Sequence, residues 1–273
     1  MRSLPLFLLL AASSLAVPAL FGQPPVVAAH ADDALDQALH NPLRSPPFVA
    51  RDPVRHPADV LTFFGLRPNA TVVEIWPGGG YWTEILAPYL AASGKDIVAV
   101  PNAPKQLATF KARVAANPKL FPAVEITQLG PDHADFAPPA SADFVLTFRN
   151  VHNWMGGGYA DDMFAAFYRV LKPGGILGLE EHRGRTDIPQ DPKADNGYVR
   201  QDYTIALAKK AGFELVGSSE VNANPRDTKD HANGVWSLPP TLRGGEVDRA
   251  KYQAIGESDR MTLKFIKPLQ PSR

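Results

Sequence analysis

Cysteine is missing from this 273-residue chain. Its absence excludes disulfides, thiolate nucleophiles and cysteine-ligated zinc, and leaves every redox compartment open. An excess of either charge is missing too, since 28 Lys and Arg face 28 Asp and Glu. Without a basic surplus there is little to neutralise phosphates, which argues against nucleic acid as a partner. No internal repeat is visible, and the length suits one sizeable α/β domain. What the chain has in plenty is proline. The 27 prolines are about twice the usual share, and they cluster where loops are expected.

The N-terminus reads as a targeting segment. Arg2 precedes an apolar run from Leu4 to Leu20, interrupted by Ser13, Ser14 and Pro18. The run is short and broken for a membrane span but suits a secretory signal. Ala29-His30-Ala31 supplies a small-x-small cleavage site before Asp32, with Val17-Pro18-Ala19 as an earlier alternative. There is no twin arginine and no cysteine to carry a lipid. The expected organisation is a Sec-type signal peptide over 1–31, a Pro/Arg-rich lead over 32–57 and one domain over 58–273. The mature protein is then periplasmic or secreted, without stable membrane insertion.

Past the lead, helical and strand patterns alternate. A helix is expected over 58–64, where Val60, Leu61 and Phe64 share a face. Strands follow at 71–75, 96–100, 124–128, 143–148, 176–180, 213–217 and 261–266. Helices are expected at 82–92, shortened or kinked by Pro88, and at 104–116, 161–171 and 199–211. Lys172-Pro173-Gly174-Gly175 reads as a breaker feeding the fifth strand. The alternation predicts a seven-stranded, mainly parallel sheet with helices on both faces. The polar stretch 219–260 is too long for a tight loop, so it is expected to carry a cap or a substrate wall.

The chemistry concentrates at strand ends. Thr71 to Tyr81 reads T-V-V-E-I-W-P-G-G-G-Y: a buried strand, an acid, and glycines opening a helix. Glycines there let backbone approach a ligand closely and take positive φ, and the helix start offers free N–H groups. In open α/β sheets ligands sit at the carboxyl edge. A nicotinamide G-x-G-x-x-G reading fails, because Tyr81 and Thr83 stand where a further glycine is needed.

Together with Arg169-Val170-Leu171-Lys172-Pro173-Gly174-Gly175, this turn resembles class I S-adenosylmethionine-dependent methyltransferases, with the Rossmann-like fold of that family. Four stretches narrow the likeness to a group of exported bacterial predicted methyltransferases. These are Phe63-Phe64-Gly65-Leu66, Pro77 to Tyr81, Phe148-Arg149-Asn150-Val151-His152-Asn153-Trp154 and Asn196 to Arg200. The resemblance implies S-adenosyl-L-methionine as cofactor, with Glu74 holding its amino-acid end and Gly78, Gly79 and Gly80 cradling it. Asp132 lies near where the family contacts the adenine amino group, or else is a solvated loop acid. Arg149 and Asn150, at the end of the fourth strand, join the cofactor set. Two positions depart from the family. Trp76 replaces the motif's first glycine, which narrows the pocket or gives a stacking surface. Asn102 stands near where a ribose-binding carboxylate is usual, so those hydrogen bonds lose charge assistance and cofactor binding is expected to weaken.

Methyl transfer from a sulfonium needs an aligned nucleophile, exclusion of water and sometimes a proton acceptor. The fourth strand leads into His152, and the fifth ends in Glu180-Glu181-His182-Arg183. His152 or His182 is the expected general base, with Glu181 orienting or replacing it. Trp154 is expected to wall the methyl pocket, and Tyr198 or Arg200 to cap it. Arg51 and Arg55 either reach an anionic substrate or lie on solvated surface. No metal site is expected, since no H-x-x-x-H or H-E-x-x-H spacing occurs. The expected activity is methylation of a small-molecule acceptor. A non-catalytic ligand-binding module on the same fold is the alternative, favoured by Trp76 and the missing ribose acid. Hydrolase or lyase chemistry through His182 and Glu181 is a third reading.

Overall fold

A computed structural model describes residues 27–269. The apolar run 4–20 lies outside these residues. The expected cleavage position before Asp32 falls within the first helix, α1 (Val27–Leu39). Three short helices follow: α2 (Pro46–Val49), α3 (Asp52–Arg55) and α4 (Pro57–Phe64). The sheet then alternates with helices. In order these are β1 (Thr71–Ile75), α5 (Thr83–Leu90), β2 (Lys95–Pro101), α6 (Pro104–Ala116), β3 (Val124–Leu129) and β4 (Ala142–Phe148). After β4 come α7 (Val151–Gly157), α8 (Ala160–Val170), β5 (Leu171–His182), α9 (Gln201–Lys210) and β6 (Glu214–Ser219). A 3-10 turn (Gly234–Ser237), α10 (Arg249–Ile255) and β7 (Arg260–Ile266) complete the chain.

The strand order is β3-β2-β1-β4-β5-β7-β6. All neighbours pair in parallel except β7, which runs antiparallel to both β5 and β6. The order reverses between β1 and β4, and the crevice outside the carboxyl ends of those two strands is where such a sheet binds ligands.

Alternation along the strands sends side chains to two cores. Val73 and Ile75 pack with Val145, Leu177 and Leu179 beneath Trp154, Phe164 and Phe167 of α7 and α8. Val72, Phe144, Leu146 and Phe148 face the other way, onto α1, α4 and α5 through Leu35, Leu61, Ile85 and Leu86. Glu74 shares this second face with Val72, so a carboxylate enters an apolar layer beside the start of α5.

The Pro/Arg-rich lead is ordered against that layer. Arg44 donates to both carboxylate oxygens of Asp52, at 2.7 and 2.9 Å, and Tyr81 Oη donates to Asp52 at 2.6 Å. Ser45 N and Oγ donate to the buried Glu84, which also pairs with Arg113. These bonds fix α2 and α3 over the glycine turn. Within 219–260, the segment from Val235 to Thr241 returns over the sheet edge as the expected wall. Among the described residues no helix is long and apolar enough to cross a membrane.

Candidate functional site

The β1–α5 turn is held from below. Asn150, just after β4, donates through Nδ2 to Ile75 O at 3.0 Å and Trp76 O at 3.3 Å. Trp76 adopts φ 47°, the left-handed conformation that a glycine would take without strain. Its indole donates to Leu129 O at 3.0 Å and meets Trp154 and Tyr159 edge-on. Anchored this way, Trp76 lines the crevice instead of filling it. Gly78 has φ 59° with nothing within 4 Å of a would-be Cβ, so its surface faces open space. Gly79 borders the same space. Gly80 does not belong with them: it borders neither cavity, and its would-be Cβ meets Arg113 Nε at 3.2 Å. It serves the turn through its φ of 86°.

Two cavities meet at Trp76–Gly79 and Asn150. The larger, about 950 Å³, opens over the ends of β2 and β3 and is bordered by Asn102, Phe110, Asp132 and Tyr159. Asn102 Oδ1 already accepts from Gln128 at 3.0 Å, so a ligand hydroxyl shares it. The smaller, about 290 Å³, lies over β1, β4 and β5 and is bordered by Glu74, Arg149, His152 and His182. Its walls are Phe48 from the lead, Trp82 stacked on Phe148 at 3.9 Å, and Trp236 with Pro239 and Pro240 from the late segment.

At the reacting end Glu181 is fully buried. Its Oε2 accepts from Val151 N at 2.6 Å and His152 N at 3.3 Å. Its Oε1 accepts from His182 N at 2.8 Å and pairs with His152 Nδ1 at 3.0 Å. A carboxylate caught by three backbone donors only accepts, so Nδ1 of His152 carries a proton, and in the neutral ring the lone pair is on Nε2. His182 Nδ1 pairs with Ser258 Oγ at 2.6 Å. Burial first, then His152 and Arg149, push the His182 imidazolium well below its ordinary pKa, so this ring is neutral. His152, Glu181 and His182 offer ligand atoms within 4.8 Å of one another. Both Glu181 oxygens are already saturated by N–H donors, which leaves the two imidazoles as the free nitrogen donors of that cluster.

Several sequence expectations need correction. Trp154 is fully buried in the core under α8 and walls no cavity. Residues 151–157 form a helix, so Trp154 sits a turn away from Val151 on its inner side. Tyr198 does not cap the site: its hydroxyl donates to Asp227 at 3.0 Å, 29 residues downstream. Arg200 pairs with Asp202 and Ile188 O on another surface. Arg51 and Arg55 are not solvated surface. Arg55 is 2% exposed, lies 4.3 Å over the Tyr81 ring and borders the smaller cavity. Burial and then Arg149 hold its pKa down to about 9. Phe48, Trp82, Trp236, Glu257 and Ser258 border the site without any motif to announce them. Phe48 and Trp236 lie in Pro-rich stretches, Trp82 directly follows the glycine turn, and Glu257 and Ser258 stand in the polar loop before β7.

Glu74 supplies a test of fit for a cofactor bearing an ammonium group. The side chain is fully buried, Thr83 Oγ1 donates to Oε2 at 2.6 Å, and Oε1 has no partner. Burial and Asp96 raise its pKa well above the carboxylate range. An orphaned buried oxygen is costly, and a cation donating from the smaller cavity would satisfy it. The larger cavity is then free for a nucleoside. The residues fit S-adenosylmethionine.

Comparison with known proteins agrees. Residues 74–179 match the model of a methyltransferase domain. Among solved structures, an S-adenosylmethionine-dependent methyltransferase from Aquifex aeolicus superposes with TM-score 0.56 at 16% identity, covering 86% of this chain and 98% of that one. The [4+2]-cyclase SpnF gives 0.55 at 17%, over 79% and 81%. Phosphoethanolamine N-methyltransferase 2 of Haemonchus contortus, in complex with S-adenosyl-L-methionine, gives 0.51 at 16%, over 86% and 60%. No protein of curated function matches in sequence. Residues 74–179 thus match a methyltransferase domain model, and the chain has the Rossmann-like fold of the class I methyltransferases it is similar to.

Proposed function

We propose that the protein transfers a methyl group from S-adenosylmethionine to a small molecule held in the smaller cavity. The observation that carries this reading is the orphaned Oε1 of Glu74, a residue that borders the cavity of about 290 Å³, which joins a nucleoside-sized cavity at Trp76–Gly79 and Asn150. When bound, the cofactor supplies an electrophilic methyl on a sulfonium. The chain's own residues do the rest. Glu74 takes the ammonium end, Gly78 and Gly79 give backbone access, and Asn102 and Asp132 border the nucleoside side. Phe48, Trp82 and Trp236 exclude water from the acceptor. His152, its Nδ1 proton held on Glu181, presents Nε2 as the acceptor for a proton leaving the nucleophile. His182 stays neutral beside it.

The same reading includes export by the N-terminal apolar run, as in the group of exported bacterial predicted methyltransferases that the chain resembles. Fractionation of cells producing the full chain tests it: soluble cytoplasmic protein of unprocessed mass overturns export. A binding module without catalysis is the second reading, favoured by Trp76 at the glycine position and by Asn102 in place of a ribose-binding carboxylate.

Calorimetric titration with S-adenosylmethionine and S-adenosylhomocysteine decides the cofactor question. Saturable binding is expected. Gly78→Val should weaken it at least about tenfold, because a β-branched side chain at positive φ costs roughly 1–2 kcal/mol and projects into the cavity. Folded protein that binds neither compound at millimolar concentration overturns the reading.

A further inference from the structure

We infer that the acceptor carries an oxyanion, a carboxylate or a phosphate, and that Arg149 is the residue that grips it. This rests on the methyltransferase reading and names the substrate class for the same site.

The first observation is a charge imbalance. Arg51, Arg55 and Arg149 border the smaller cavity, and Arg260 stands directly behind it. Two carboxylates answer these four guanidinium groups. Glu257 pairs with Arg51, Arg55 and Arg260, and Glu180 pairs with Arg260 at 3.1 Å and accepts from Asn222. Glu181, bonded to His152 and to the His182 N–H, is a third carboxylate beside the cavity, which leaves one guanidinium charge in excess. S-adenosylmethionine adds a sulfonium, an ammonium and one carboxylate. Glu74 balances the ammonium, and the cavity still keeps its positive excess.

The second observation is that Arg149 stands apart from the other three. Arg51, Arg55 and Arg260 each reach a carboxylate. The Arg149 guanidinium makes no hydrogen bond or ion pair among the described residues, and its Nε is buried without a partner. Its backbone is held at φ 62°, with its N–H donating to Glu180 O at 2.7 Å. A non-glycine residue is kept in this region only where its surroundings fix it. The half-buried guanidinium thus borders the cavity with no partner of its own, which leaves its donors available for charge-assisted recognition of a carboxylate or phosphate.

Arg149 shares its cavity with Arg55, but it enters from the strand that leads to the reacting end. Arg55 ends α3 and Arg51 immediately precedes it, over the glycine turn, where the amino-acid end of the cofactor would belong. Arg149 leaves β4 three residues before His152 and borders the same cavity as His152 and His182. An acceptor anchored there by its anion lies beside the His152 Nε2 lone pair. The hydrophobic walls, Phe148 stacked on Trp82 and Trp236 near His152, leave room for a compact apolar body between anion and nucleophile.

The test titrates purified wild-type protein with S-adenosylhomocysteine, and then titrates that complex with acetate and, separately, inorganic phosphate. Arg149→Gln and Arg149→Lys are carried through the same steps, with thermal melts to show that each is folded. Saturable anion binding to wild type is expected. Arg149→Gln should weaken it by about tenfold or more, and Arg149→Lys should restore part of it, since lysine keeps the charge without the fork. S-adenosylhomocysteine affinity should stay within about threefold throughout. Preference for acetate assigns a carboxylate acceptor, and preference for phosphate a phosphorylated one. The inference is overturned if neither anion binds the wild-type complex in the tens of millimolar. It is also overturned if Arg149→Gln spares anion binding and weakens S-adenosylhomocysteine instead, which would place Arg149 on the cofactor's carboxylate. Failure of wild type to bind S-adenosylhomocysteine sinks the methyltransferase reading alone. Titrating anions into the free protein then still reads Arg149, with loss in Arg149→Gln supporting the grip and no change overturning it.

Discussion

Glu74 and Asp96 project from neighbouring strands into the same apolar layer, and their fates differ because only one borders a cavity. Glu74 faces the smaller cavity with Oε1 free, so a cationic ligand competes with a proton for it. Its pKa is raised by burial and by Asp96, and the ligand needs the ionised form. Cofactor affinity should therefore rise with pH until Glu74 is ionised, and fall as the solution is acidified. Glu74→Gln should weaken binding roughly 10- to 100-fold and flatten that pH slope, as read by calorimetry between pH 6 and 8.5. A slope that persists in Glu74→Gln would assign the titration to another group. Asp96 is buried with both oxygens unpartnered, and burial raises its pKa from 3.8 to about 7. The folded state binds its proton more tightly than the unfolded state, so this site favours folding below pH 4. That advantage is lost as pH rises toward 7. Asp96→Asn should raise Tm on the order of 5 °C at pH 8 and change it little at pH 5. An equal gain at both pH values would mean that charge is not the cause. Nothing in the sequence marks these two acids apart, since each follows or interrupts an apolar strand. Glu74 was legible only through the glycines after it.

At the scale of elements, the strands and the long helices were legible because each carries its own signal. Val72, Val73 and Ile75 form β1 as a β-branched run buried on both faces, and Pro104 opens α6 at the position that needs no N–H. Helix α7 was not legible. Its glycines, Gly156 and Gly157, read as loop, and the group that satisfies its first N–H groups is Glu181, on another strand 30 residues away. A cap supplied at long range leaves no local trace. Missing that helix is also what put Trp154 in the pocket instead of the core. The lead segment failed for the same reason. Its arginines look solvated until Asp52 and Glu257 are placed against them by folding. Asp52 holds this element down by taking Arg44 in a two-pronged pair and the Tyr81 hydroxyl besides. Asp52→Ala leaves the Arg44 side chain buried without its partner, which should cost about 3 kcal/mol. Hydrogen exchange should show faster opening over 44–55 with β4 unaffected. Uniform loss of protection across the sheet would show that the lead is part of one cooperative unit.

For the whole molecule the question is where the folded unit begins. Helix α1 spans the expected cleavage position, and the packing residues described for it lie downstream. Leu35 and Ala38 are buried, 8% and 3% exposed, in the layer formed by α4 and α5. Arg44 Nη1 also donates to Leu39 O at 2.7 Å. A chain starting at Asp32 keeps every one of these contacts, whereas one starting at Asn41 loses all of them. Removal of 1–31 should therefore leave Tm and S-adenosylhomocysteine affinity unchanged. Removal of 1–40 should lower Tm by roughly 5–10 °C, the consequence of deleting a buried leucine and uncovering its neighbours. It should also weaken cofactor binding, because the lead that carries Phe48, Arg51 and Arg55 loses its anchor at Leu39 while still bordering the smaller cavity. Equal melting of the two truncated chains would show that α1 is dispensable to the fold. A drop already at Asp32 would mean that the helix draws stability from residues 27–31, and a signal cleaved at that position would then leave a weakened protein.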